Sequence, residues 1–124
     1  MADPITWPGL KGSYTYWLLT TPGDPQSIKA EAGNYMFVKP TNAGWVPVYI
    51  GIADSLRDRI PCHERWTEAV QHGATRAMAH TNGNALAREA EERDLIGYWN
   101  PVLNTQHRSG PATRTLLGGL GSRF

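Results

Sequence analysis

The chain has 124 residues, 40% of them hydrophobic, which suits one domain with a modest core and leaves no room for a second folded module. Its formal charge is only +1, so it lacks the basic excess that draws a whole protein onto a polyanion. All eleven acidic residues lie before Pro101, against nine Lys/Arg (9 − 11 = −2), and Arg108, Arg114 and Arg123 follow with no acidic neighbour, so attraction to nucleic acid is expected to be local.

Residues 1–32 hold Pro4, Pro8, Pro22 and Pro25 around one alternating stretch, Tyr14–Leu19. They predict an irregular arm carrying one strand, ended by turn chemistry at residues 21–25. Tyr35–Val38 and Trp45–Ile50 are β-rich runs, joined by a loop of breakers from Lys39 to Gly44. Pro47 is confined to a strand start or a non-bonded edge position.

After Gly51 the apolar period changes from two to about 3.6, with Asp54 or Ser55 as N-cap before Leu56. Pro61 disfavours helical geometry at Ile60 and removes a donor, which predicts a break and a second helix over 64–72, closed by Gly73. Cys62 has no partner for an internal disulfide and, with no secretory leader in view, points to a reducing, cytoplasmic setting. Cys62–His63 as nucleophile and base is the weaker reading of that pair, because adjacent side chains rarely project to one point. The apolar runs are too short to span a membrane.

A third strand over 74–80, a turn at 82–84 and a long helix over 85–99 complete the series. The order β-β-α-β-α predicts an α+β fold: a small central antiparallel three-stranded sheet flanked by helices, with an additional N-terminal strand or arm. Three regions follow, 1–32 as arm, 33–104 as domain and 105–124 as basic tail. In the tail the glycines and Pro111 oppose regular structure, while Leu116, Leu117 and Leu120 leave open an apolar hook.

At 100° per residue, positions 85, 88, 92, 95, 96 and 99 of the long helix share one stripe, which sets Glu92 among Leu95, Ile96 and Trp99 on the face expected to be buried. A buried carboxylate costs several kcal/mol, on the order of the buried-charge penalty, unless it is paired or binds a cation. Arg88, one turn earlier, is the pairing choice, and a metal ion is the other. Arg59 shares a face with Leu56 and Ile60, so it points inward at its base. Tyr35, Tyr49, His63 and Asn104 taken singly read as core aromatics, a structural histidine and a turn-former.

Their joint order says more. Gly33-Asn34-Tyr35, Val48-Tyr49-Ile50-Gly51, Arg59 eight residues after that glycine, and Glu92 with Leu95-Ile96 and, twelve residues on, Asn104 resemble the GIY-YIG nuclease superfamily, with Asn34 in place of the first motif's isoleucine. The similarity covers residues 33–104. It implies a metal-dependent endonuclease acting on DNA, structure-selective or non-specific, of the kind used in repair, restriction or mobile elements.

The implied roles are Glu92 as anchor of a Mg²⁺ or Mn²⁺ ion, Arg59 on the scissile phosphate, and one of Tyr35, Tyr49 or His63 placing or deprotonating water. Asn104 would hold the loop or the phosphate side of the site. Arg57, Arg59, Arg108 and Arg114 are the expected nucleic-acid contacts, and a partner protein or oligomer could do the targeting. A different class, a module that keeps the fold to grip nucleic acid or protein without cutting, is the alternative.

Overall fold

A computed structural model describes residues 4–19 and 23–104; the tail, with Arg108 and Arg114, lies outside them. The elements in chain order are β1 (Pro4–Pro8), β2 (Ser13–Leu18), a 3-10 turn (Pro25–Ser27), β3 (Gly33–Thr41), β4 (Gly44–Ala53), α1 (Leu56–Arg59), α2 (Trp66–Gln71), β5 (Arg76–Thr81) and α3 (Ala85–Trp99). The fold is α+β, as expected. The sheet, however, has five strands in the order β1-β2-β5-β3-β4, all antiparallel, instead of three.

The extra strand pair is the N-terminal hairpin. Pro4 and Pro8 read as breakers in the sequence, but they bound the outermost strand, where a missing amide donor can face away from the ladder. Pro47 obeys the same rule at the other edge. It lies inside β4, where the register against β3 shifts between Phe37↔Tyr49 and Val38↔Pro47 and leaves Val48 as the extra residue of a bulge.

Period-two alternation divides the sheet into two apolar faces. One carries Tyr35, Phe37, Ala77 and Ala79 against Leu56, Ile60, Ala69 and Leu103, with Tyr49 and Trp66 packed at its margin. The other carries Met36, Val38, Ile50 and Met78 against Leu95 of α3, with Trp7 and Tyr16 from the hairpin. Asn34 belongs to β3, an interior strand between β5 and β4, and a buried polar side chain there needs partners. It donates to the Arg88 carbonyl at 3.1 Å and accepts from Asn82 at 3.3 Å, tying β3 to the start of α3.

Ser55 caps α1 through the Asp58 amide, and the helix stops at Arg59 before Pro61. Ile60 nevertheless keeps right-handed helical angles, φ −76° and ψ −46°, so Pro61 ends the helix without expelling its predecessor from that region. The second helix is shorter than expected at both ends. Gly73, at φ +100°, turns the chain into β5.

α3 keeps its expected bounds, capped by Asn84 on the Ala87 amide at 2.9 Å and closed by a left-handed Asn100. Its buried stripe is different: Arg88, Glu91, Asp94 and Leu95 are buried, Glu92 is half-buried and Ala85 is exposed. The added hairpin explains the rotation. Tyr16 donates to Glu91 at 2.7 Å, while Tyr14 and the Lys11 and Gly12 amides donate to Asp94 at 2.7, 2.9 and 3.1 Å. Donors 75 to 83 residues away in sequence let these two carboxylates enter the interior.

Candidate active site

Gly51 faces Tyr35 across the β3–β4 ladder, and a Cβ on it would lie 2.6 Å from the Tyr35 hydroxyl. The glycine is there to let the phenol lie over the strand. Gly33 has a comparable reason, because its Cβ would meet the His80 carbonyl oxygen at 2.2 Å where β3 pairs with β5. Both tripeptide glycines are thus set by packing around Tyr35 and its strand. The Tyr35 and Tyr49 rings are 6.2 Å apart, and the His63 ring lies 5.3 Å from the first and 5.4 Å from the second.

His63 comes inward on the turn after Pro61, with its amide on the Ile60 carbonyl at 3.3 Å and its side chain fully enclosed. The Arg65 amide donates to Nδ1 at 2.9 Å, which leaves Nε2, 2.5 Å from the Tyr35 oxygen, as the nitrogen that carries the proton of a neutral ring. Burial, reinforced by the Arg59 cation, brings its pKa down to about 4, so the ring is neutral near pH 7. His63 therefore donates to Tyr35. Both of its nitrogens are engaged, which removes it as a base for the exposed Cys62.

Arg59 leaves the end of α1 and forks onto Glu64, Nη1 to Oε1 at 2.9 Å and Nη2 to Oε2 at 3.0 Å. The pair is open to solvent, with side-chain exposures of 40% and 63%. Hydrogen bonding to Arg59 holds the Glu64 carboxyl down at about 2. Burial raises the Tyr35 phenol, and the Tyr49 phenol likewise, while the charge of Arg59 pulls both back toward ionisation. Arg57, on the same turn, spends its Nε on the carbonyls of Pro25 and Ile28, each at 2.9 Å. It fastens the arm to α1.

Glu92 projects from α3, which packs on the sheet face opposite Tyr35. Its carboxylate is still close enough to raise the Tyr49 phenol, and it acts on Tyr16 as well. A half-buried carboxylate is a hard oxygen donor, the kind that fits a cation keeping most of its water. Among the described residues, no three His, Cys, Asp or Glu side chains gather as a closed metal cage. Arg88 reaches the Asn82 carbonyl at 2.9 Å and lies 3.5 Å from Asp54.

Asn104 is buried at the outer edge of β4, its Oδ1 accepting from the Ile50 amide at 2.8 Å and its Nδ2 donating to the Ile50 carbonyl at 2.9 Å. It stands in for a neighbouring strand between Tyr49 and Gly51. Tyr35, Tyr49, Arg59 and His63 are brought together, Glu92 acts on Tyr49 by charge, and Asn104 supports the strand between the two motif residues. Sequence reasoning missed Glu64 and the aromatic wall of Phe37 and Trp66, whose rings lie 5.0 Å apart. Glu64, five residues past Arg59, had only its charge as a signal. No helix among the described residues is long and apolar enough to cross a membrane. Compared with protein-family models, curated proteins and solved structures, the chain matches none.

Proposed function

We propose that this chain is a metal-dependent endonuclease that hydrolyses DNA phosphodiesters at a GIY-YIG-type site. The observation that carries the reading is the meeting of Tyr35, Tyr49, Arg59 and His63 on one aromatic-walled patch from β3, β4, α1 and the turn after Pro61. Each has a distinct task.

Arg59 presents a fork that matches phosphate oxygens and stabilises the charge that builds on them, an interaction worth about 3 kcal/mol when one such donor is lost. Tyr49, half-buried and within reach of the charges of Arg59 and Glu92, meets the attacking water. Tyr35 is buried with its oxygen held by His63, so it fixes the geometry behind Tyr49. Near neutral pH both phenols keep their protons in the protein alone, since burial outweighs Arg59. Glu92 would hold the Mg²⁺ or Mn²⁺ ion, which supplies positive charge to phosphate oxygens and acidifies water. Asn104 keeps β4 in register with the site.

The test is incubation of the full chain with single-stranded, duplex and branched DNA, with and without Mg²⁺ or Mn²⁺. Divalent-dependent products that vanish in Arg59→Ala and fall in Tyr49→Phe support the reading. Binding without products under every condition favours the second reading, a non-cutting nucleic-acid module. The observation on its side is that Glu64 already occupies both terminal nitrogens of Arg59.

A further inference from the structure

The Arg59–Glu64 pair has a geometry that ordinary surface ion pairs lack. Most exposed pairs touch through one nitrogen and one oxygen and contribute little. Here both terminal nitrogens of the guanidinium are matched by both carboxylate oxygens, the planar fork that arginine also offers to a phosphate. The charge of Arg59 also acts on the Tyr35 and Tyr49 phenols, so the guanidinium serves the aromatic patch as well as Glu64. A phosphate arriving at Tyr49 would find the outward nitrogens of Arg59 taken. Glu64 stays ionised through the working pH range, so loss of its charge does not free the fork. An arriving anion has to displace it.

We infer that Glu64 is an internal phosphate mimic: its carboxylate occupies the two Arg59 nitrogens that a nucleic-acid backbone phosphate needs, and so sets the affinity threshold for engaging the site. This deepens the nuclease reading and rests on it. The device is specific to the fork and differs from bulk repulsion by a negative surface. Glu68, four residues on, carries the same charge but pairs with Arg65. It therefore separates loss of competition from loss of charge.

The experiment measures binding of a fluorescent eight-nucleotide oligothymidylate to the full chain by anisotropy, in EDTA so that no cleavage intervenes. It compares wild type, Glu64→Gln, Glu68→Gln, Arg59→Ala and the Glu64→Gln/Arg59→Ala double variant. Glu64→Gln should bind about two- to five-fold tighter, the scale of one exposed ion pair removed from competition. Glu68→Gln should change affinity less, and the gain should disappear in the Arg59→Ala background. A Glu64→Gln affinity equal to or weaker than wild type, or a gain matched by Glu68→Gln, overturns the inference; if Arg59→Ala still weakens binding, the nucleic-acid reading of the site stands. If neither Arg59→Ala nor Glu64→Gln alters binding, the inference and the reading of Arg59 as a phosphate contact both fall.

Discussion

The two faces of the sheet are built from the same kinds of residue and do opposite things with them. Behind α3, Tyr16 and His80 converge on Glu91 at 2.7 and 2.6 Å, and Tyr14 with two backbone amides converges on Asp94. On the other face, Tyr35 meets His63, and Arg59 reaches out to an exposed Glu64. In the first pair of networks each carboxylate is surrounded by donors from distant segments, so it locks the hairpin onto the helix. In the second the carboxylate and the guanidinium both stand open to solvent. Tyrosine, histidine and carboxylate make a buried clamp or a solvent-exposed pair according to how far the carboxylate is enclosed.

The comparison breaks first at Glu91. Glu91→Ala leaves the hydroxyl of the buried Tyr16 and the His80 ring without their acceptor, and should cost about 3 kcal/mol of stability in urea unfolding, the scale of breaking a buried network. A loss below 1 kcal/mol would show that this network is not a clamp.

His63 should give the next largest effect, as a pH dependence. Its folded pKa, about 4, lies below its ordinary 6.5, so the unfolded chain binds more protons between these values. Stability is full above pH 6.5 and declines as pH falls toward 4, by at most about 3 kcal/mol. Melting temperatures from pH 7 to 4 should fall less steeply in His63→Gln than in wild type. Equal slopes would remove His63 as the titrating group.

Glu92→Gln should sharpen the contrast with Glu91. Cleavage should fall roughly a hundredfold or more, the scale of losing metal-assisted charge stabilisation, while the melting temperature holds or rises. A collapse in stability at this position would make Glu92 another clamp. The smallest effect is expected at Asn104. Asn104→Ala removes two hydrogen bonds to Ile50 and should cost about 1–2 kcal/mol, with exchange of the Ile50 amide speeding up in hydrogen-exchange measurements.

Local patterns in the sequence marked β3, β4, the one-turn helix before Pro61 with its cap at Ser55, and α3, because alternation, period 3.6 and capping chemistry act within a few residues. The same locality explains the misreading of β1. Whether Pro4 and Pro8 break a strand or bound an edge depends on which amides face the sheet, and that is decided by pairing with β2.

The sequence by itself determined the α+β class, and its resemblance to the GIY-YIG superfamily marked Tyr35, Tyr49, Arg59 and His63 as site candidates. Only the tertiary structure decided which helix carboxylates are buried. Periodicity turned Glu92 inward, but Tyr14, Tyr16 and the Lys11 and Gly12 amides selected Glu91 and Asp94. It also decided the tautomer of His63, through the Arg65 amide, and the partner of Arg59, through Glu64. The reason is the same throughout: periodicity fixes a direction from a helix or strand, whereas the cost of burying a polar group depends on donors and acceptors that distant chain segments deliver.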